Sequence, residues 1–182
     1  MGCNFIITIL FTMLLITRFI RLIEDHAETL SLQWVQNVRN NPLTAGYSNL
    51  SKETLHDIVY SRFRKLGQWI GKQEGRDRDI AEQFCDIGAQ GAKMGIKVSD
   101  MVYSFMLERD LLWSYILDEG IVTEGIDLNR AIEFSHQLNY FYEKAIYFAI
   151  VGHEGQQVST PDAKEGVFDK IFEGFKHWIV VQ

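Results

Sequence analysis

Residues 127–151 read DLNRAIEFSHQLNYFYEKAIYFAIV. Leu128, Ala131, Ile132, Leu138, Phe141, Tyr142, Ala145, Phe148 and Ala149 recur at three- and four-residue steps and their multiples, the period of a helix with one wide apolar side. Asp127 stands where the helix dipole favours a negative charge, and Gly152 stands where a helix commonly stops. The stretch therefore predicts a helix over 127–151, and no period-2 alternation competes with it.

The same reading extends outward. Upstream, Met101, Val102, Phe105, Leu112, Trp113 and Ile116 predict a fourth helix, capped by Ser99 and ending at Gly120. A third runs from about 77 to 94, with Gly95 as its C-terminal cap. Ala81, Cys85, Gly88, Ala89 and Ala92 give it a surface of small residues that lets a neighbouring helix come close. A second helix starts at Ser51, with Glu53 in its first turn, and carries Leu55, Ile58, Val59, Phe63, Leu66 and Ile70. The first spans Phe19 to Arg39 through Ile20, Ile23, Ala27, Leu30, Trp34 and Val38, and Asn40-Asn41-Pro42 stops it. Leu43 to Leu50 reads as a loop.

Past Gly152, residues 153–166 are a polar linker. Phe168, Ile171, Phe172, Phe175 and Ile179 mark an amphipathic helix over 167–182. The expected fold class is all-α: five main helices over 19–152 plus a C-terminal helix. A 182-residue chain that is 47% hydrophobic suits one domain with a sizeable core. A net charge of -6 argues against a nucleic-acid partner, which needs clustered Lys and Arg. Two cysteines, Cys3 and Cys85, exclude a disulfide scaffold and a four-cysteine zinc site.

The apolar run Phe5 to Thr17 is shorter than the roughly 20 residues that span a bilayer, and extension to Ile23 takes in Arg18 and Arg21. It lacks the features of a secretory signal, and Ile6 does not fit N-myristoylation. Segment 1–18 is left with three readings: an anchor through residues 5–23 with the arginines inside, a start placed too early, or a helix packing on its own domain or a partner. The expected location is cytoplasmic, tethered to the inner membrane face if the anchor is real.

No Ser/His/Asp set, phosphate loop or paired-carboxylate geometry is legible, so no catalytic residue is assigned. Arg109 lies between Phe105 and Leu112 on the apolar side of its helix, where a guanidinium pairs with a carboxylate or reaches water. It reads either as an ion pair to a neighbouring helix or as the anion-binding group of a pocket walled by Trp113 and Tyr142. Trp34 is expected in the core or a dimer contact. Two Glu-x-x-His pairs, Glu53/His56 and Glu133/His136, have the spacing of di-iron bundle ligands, but the first sits in a first turn and the second on a mostly polar face. No metal ligand is assigned. Cys85 reads as a buried, inert thiol.

Three groups of residues carry a resemblance. They are Leu30-x3-Trp34-Val35 followed by Asn41-Pro42 and Tyr47; Leu50-Ser51-Lys52-Glu53-x-Leu55; and Gly91-x3-Gly95-Ile96-x-Val98-x-Asp100-x-Val102. In this order the chain resembles, over about residues 20–150, the N-terminal sensor domain of the RsbT co-antagonist (RsbR-type) proteins of bacterial stressosomes. The resemblance implies a globin-like helical bundle without haem, a homodimer, and a non-enzymatic signalling role in the stress response. Family members carry an output module on the same chain. The 30 residues after Gly152 are too few for one, so the expectation is a partner protein supplying output in trans. The expected cofactor is none. His26 and His136 are the histidines well inside predicted helices, and their acidic neighbours suit solvated rings better than haem ligation. A haem- or metal-binding globin-like protein and a membrane-tethered helical scaffold are the alternatives.

Overall fold

A computed structural model describes residues 16–70, 76–120 and 125–155. Their regular structure is helical throughout: α1 (16–25), α2 (Ala27–Asn40), a 3-10 helix (Pro42–Tyr47), α3 (Lys52–Arg64), the single turn α4 (Leu66–Trp69), α5 (Arg76–Lys93), α6 (Val98–Asp118) and α7 (Gly125–Gly155). The all-α expectation holds for these residues. The linker and terminal helix expected over 156–182 lie outside them, as does the run 1–15.

The first expected helix is divided at His26, whose φ of -105° and ψ of 17° leave the helical range. Direction is kept, because the His26 N–H still reaches the Leu22 carbonyl and the Leu30 N–H reaches that of His26. Phe19, Ile23, Leu30 and Trp34 consequently form one buried line. Residues 16–23, the end of the candidate anchor, thus pack on their own domain. Phe19 meets Phe134 of α7 at 5.4 Å between ring centroids. Among the described residues no helix is long and apolar enough to cross a membrane.

The expected loop at 43–50 contains a 3-10 helix. Pro42 suits its start because it has no N–H to leave unbonded, and the Asn41 side chain accepts from the Leu43 N–H. The second expected helix breaks at Lys65 (φ -119°, ψ 19°) and resumes for one turn. Its start is as expected: the Ser51 hydroxyl accepts from the Thr54 N–H at 3.1 Å. Ser51→Ala is expected to cost about 1 kcal/mol in urea unfolding, the usual value of such a cap.

Gly95 closes α5 as expected. At a φ of 73° it lets the Ile96 N–H reach the Gly91 carbonyl and its own N–H reach that of Ala92. Ser99 is not the cap of α6. The helix begins at Val98, and the Ser99 hydroxyl donates to Asp100 Oδ1 at 3.0 Å. Gly152 does not stop α7, which runs on to Gly155 and makes His153 a helical, buried residue. The small-residue surface of α5 faces α7, with Gly88 against Ala149 and Cys85 against Gly152. As α5 ascends from 85 to 88, α7 descends from 152 to 149, so the two helices cross antiparallel. Leu128 and Ile132, read as part of the apolar arc, are about half exposed, and Phe134 takes the inward position.

A buried Arg-Glu-Tyr network at the helix junction

Inward positions of α3 and α6 carry opposite charges. On α3, Leu55, Val59, Arg62, Phe63 and Leu66 follow the helical period, and all are buried. On α6 the buried line is Met101, Ser104, Phe105, Glu108, Leu112 and Ile116. Arg62 and Glu108 are 5% and 1% exposed. They meet through two parallel bonds: Arg62 Nε donates to Glu108 Oε1 at 3.0 Å, and an Arg62 terminal nitrogen donates to Oε2 at 2.7 Å. The fork of the guanidinium matches the carboxylate, the arrangement that best offsets the cost of drying both charges.

Further groups complete the cluster. The Tyr142 hydroxyl, from α7, donates to Glu108 Oε1 at 3.0 Å. Phe105 places its ring centroid 5.4 Å from the Arg62 guanidinium carbon. One turn earlier on α6, Ser104 Oγ donates to the Met101 carbonyl at 2.7 Å. The Tyr47 hydroxyl, 2.9 Å from Ser104 Oγ, must then be the donor of that pair. The Ser104 carbonyl accepts from Trp34 Nε1 at 3.2 Å. Residues of α2, the 3-10 helix, α3, α6 and α7 are therefore tied to one stretch of α6.

The environment tunes the groups. Burial alone would discourage charge on Arg62, but Glu108, by its charge and its hydrogen bonds, more than compensates, and the pKa of Arg62 rises. Burial pushes the Tyr47 hydroxyl up to about 12, against the opposing hydrogen bond to Ser104. Burial, then the Glu108 charge, raises Tyr142 well above the usual tyrosine value. Both phenols keep their protons in the folded chain at a pH where an unfolded tyrosine, near 10, loses its own. The folded state then binds more protons than the unfolded one. Stability is expected to be full below about pH 10 and to fall as pH rises from there towards about 12. Urea midpoints at about pH 9 and about pH 11 measure the drop, and Tyr47→Phe is expected to make it smaller.

The residues singled out from sequence fall in different places. Tyr142 belongs to the network. Arg109 does not: its side chain is one-third exposed and pairs with its own neighbour, Asp110, at 3.1 Å. One helical residue is 100° of rotation, and the inward position between Phe105 and Leu112 is Glu108. The inter-helix ion pair weighed for Arg109 is made one residue away, by a carboxylate facing Arg62. Trp113 packs against the edge of the core. Trp34 is fully buried in the core. Glu53, Glu133, His136 and His26 are exposed, while His56 bonds Glu28 at 3.1 Å and stacks on Tyr60. Among the described residues no group of three or more His, Cys, Asp or Glu is placed to hold a metal ion. Burial pushes the Cys85 thiol up to about 11, with Asp86 and Glu82 adding to it, so little thiolate forms at neutral pH.

Arg62 and Glu108 were missed by the sequence reading. The signal was present: each is a charge at an inward step of an apolar stripe, Val59–Arg62–Leu66 and Phe105–Glu108–Leu112. Comparison of the chain with protein-family models, with curated proteins and with solved structures finds no match in any of the three.

Proposed function

We propose that this chain is a non-enzymatic regulatory domain of the globin-like sensor type, working as a homodimer and passing its state to a partner protein in trans. One observation carries the reading. Residues with chemical potential, Arg62, Glu108 and Tyr142, spend it on one another inside the junction of α3, α6 and α7, at 5%, 1% and 1% exposure. A reaction site needs such groups within reach of substrate. A switch needs them between elements, where two packings of the same helices compete and a ligand favours one by its differential affinity.

The bonds of this network have discrete geometries, so a helix shift breaks or remakes them as sets. The RsbR-type resemblance over residues 20–150 supplies the biological setting, stress signalling in bacteria, and with it the dimer and the output partner.

The test uses the full chain purified without added cofactor. The expected result is a dimer by analytical ultracentrifugation, no stoichiometric haem absorbance, and amide exchange in α3, α6 and α7 that rises together in Tyr142→Phe. A stoichiometric haem band, a monomer at every concentration, or increased exchange confined to α7 would overturn the reading.

A further inference from the structure

The turn between α5 and α6 forms a cleft with the last turns of α7. Its volume is about 640 Å³, and its lining includes Lys93, Ile96, Lys97, Val98, His153 and Glu154. Small-molecule sites commonly occupy about 300–1,000 Å³.

Two helix ends meet there on unequal terms. The closing carbonyls of α5, Gly91 and Ala92, are taken by the N–H groups of Ile96 and Gly95, both at 3.0 Å. The opening amides of α6 have no side-chain cap, since Lys97 is the N-cap and Ser99 turns to Asp100. Asp100, whose charge would oppose an anion, points its Oδ2 at the Gly46 N–H, 2.8 Å away. The cleft therefore presents donors from α6 and few free acceptors from α5.

His153 adds an independent observation. It is 7% exposed, and its Nε2 donates to the Ile96 carbonyl at 2.8 Å. That bond puts a proton on Nε2 and leaves Nδ1 with no protein partner among the described residues. A ring nitrogen so placed at a cleft wall calls for a partner from outside the chain. The lining charges are Lys93 and Lys97 against Glu154, an excess of one positive charge on a chain whose net charge is -6.

We propose that this cleft binds a small oxyanion, a phosphate or carboxylate group on a compact compound, between Lys93, Lys97 and the first amides of α6, with His153 as its wall. Ile96 and Val98 offer an apolar surface to the body of that compound. The inference goes beyond the regulatory reading and does not depend on it, because binding is measured on the chain itself.

The experiment titrates the ¹⁵N-labelled full chain with inorganic phosphate, acetate or chloride at equal ionic strength. The amide signals of Val98 and Ser99 are expected to shift saturably with phosphate, acetate or both, and not with chloride; the stronger of the two identifies the anion class. Lys97→Glu and Lys93→Glu are each expected to raise the Kd at least tenfold, while Lys52→Glu on α3 leaves it unchanged. A thermal melt of each variant verifies its fold. Shifts that fail to saturate, that chloride reproduces, or that survive both cleft substitutions would overturn the proposal.

Discussion

Glu108→Ala is expected to destabilise the fold by about 3–5 kcal/mol, the largest effect of any single substitution considered for this chain. The loss has a specific origin. Arg62 stays behind at 5% exposure with its two charge-assisted bonds gone, and no water-facing rotamer is open to it without disturbing Val59 and Phe63 on the same helix. Tyr142 loses the acceptor of its hydroxyl in the same step. The comparison that isolates charge from volume is the double variant Arg62→Met with Glu108→Leu. An apolar pair of similar size needs no desolvation of ions, and such replacements elsewhere are neutral or stabilising. The double variant is therefore expected to recover most of what Glu108→Ala loses. Urea unfolding of the wild-type, single and double variants measures this directly. If the double variant proves as unstable as the single one, the cost belongs to packing and the ion pair is not what holds the junction. Tyr142→Phe removes one neutral donor and is expected to cost about 1 kcal/mol.

The way the network escaped a sequence reading shows where such readings lose resolution. Apolar periodicity reports which side of a helix is inward as an arc about 100° wide, because several residues share each side. That was enough to place helices at 51–64, 76–93 and 98–118 and to put Trp34, Phe63, Phe105 and Phe148 inside. It was not enough to separate Arg109 from Glu108, which differ by one step of rotation while both lie within reach of Phe105 and Leu112 in the sequence. A charged residue on an apolar stripe becomes informative only with its partner, and that partner, Arg62, is 46 residues away. Local geometry was lost for a different reason. His26, Lys65 and the 3-10 turn at Pro42–Tyr47 depart from the helix by one residue's dihedrals, a change that tertiary contacts impose and composition does not encode. Ser99 was assigned a cap by its residue type, yet its neighbour Asp100 offered its hydroxyl a closer acceptor.

Glycine at 152 was read as a stop, and its place in mid-helix leads to the second large effect. Gly88→Ala and Gly152→Ala are each expected to destabilise by about 2–3 kcal/mol, towards the upper end of overpacking costs. The sign is the informative part. In a helix interior, replacing glycine with alanine ordinarily gains about 1 kcal/mol, because it limits the freedom of the unfolded chain and improves helix propensity. Here a Cβ on Gly88 would collide with the carbonyl of Ala149, and one on Gly152 with the carbonyl of Cys85. The obstacles are main-chain atoms, which cannot rotate aside as a side chain would. Relief requires α5 and α7 to move apart along their whole crossing, loosening Phe84 against Phe141, whose rings stand 5.7 Å apart. Gly155→Ala is the internal control: the same helix, no heavy atom within 4 Å of its added Cβ, and therefore an unchanged or raised melting temperature. Thermal unfolding of the three variants separates the cases by sign. A Gly152→Ala protein as stable as Gly155→Ala would mean that α7 does not lie against Cys85, and the antiparallel α5–α7 crossing would have to be redrawn.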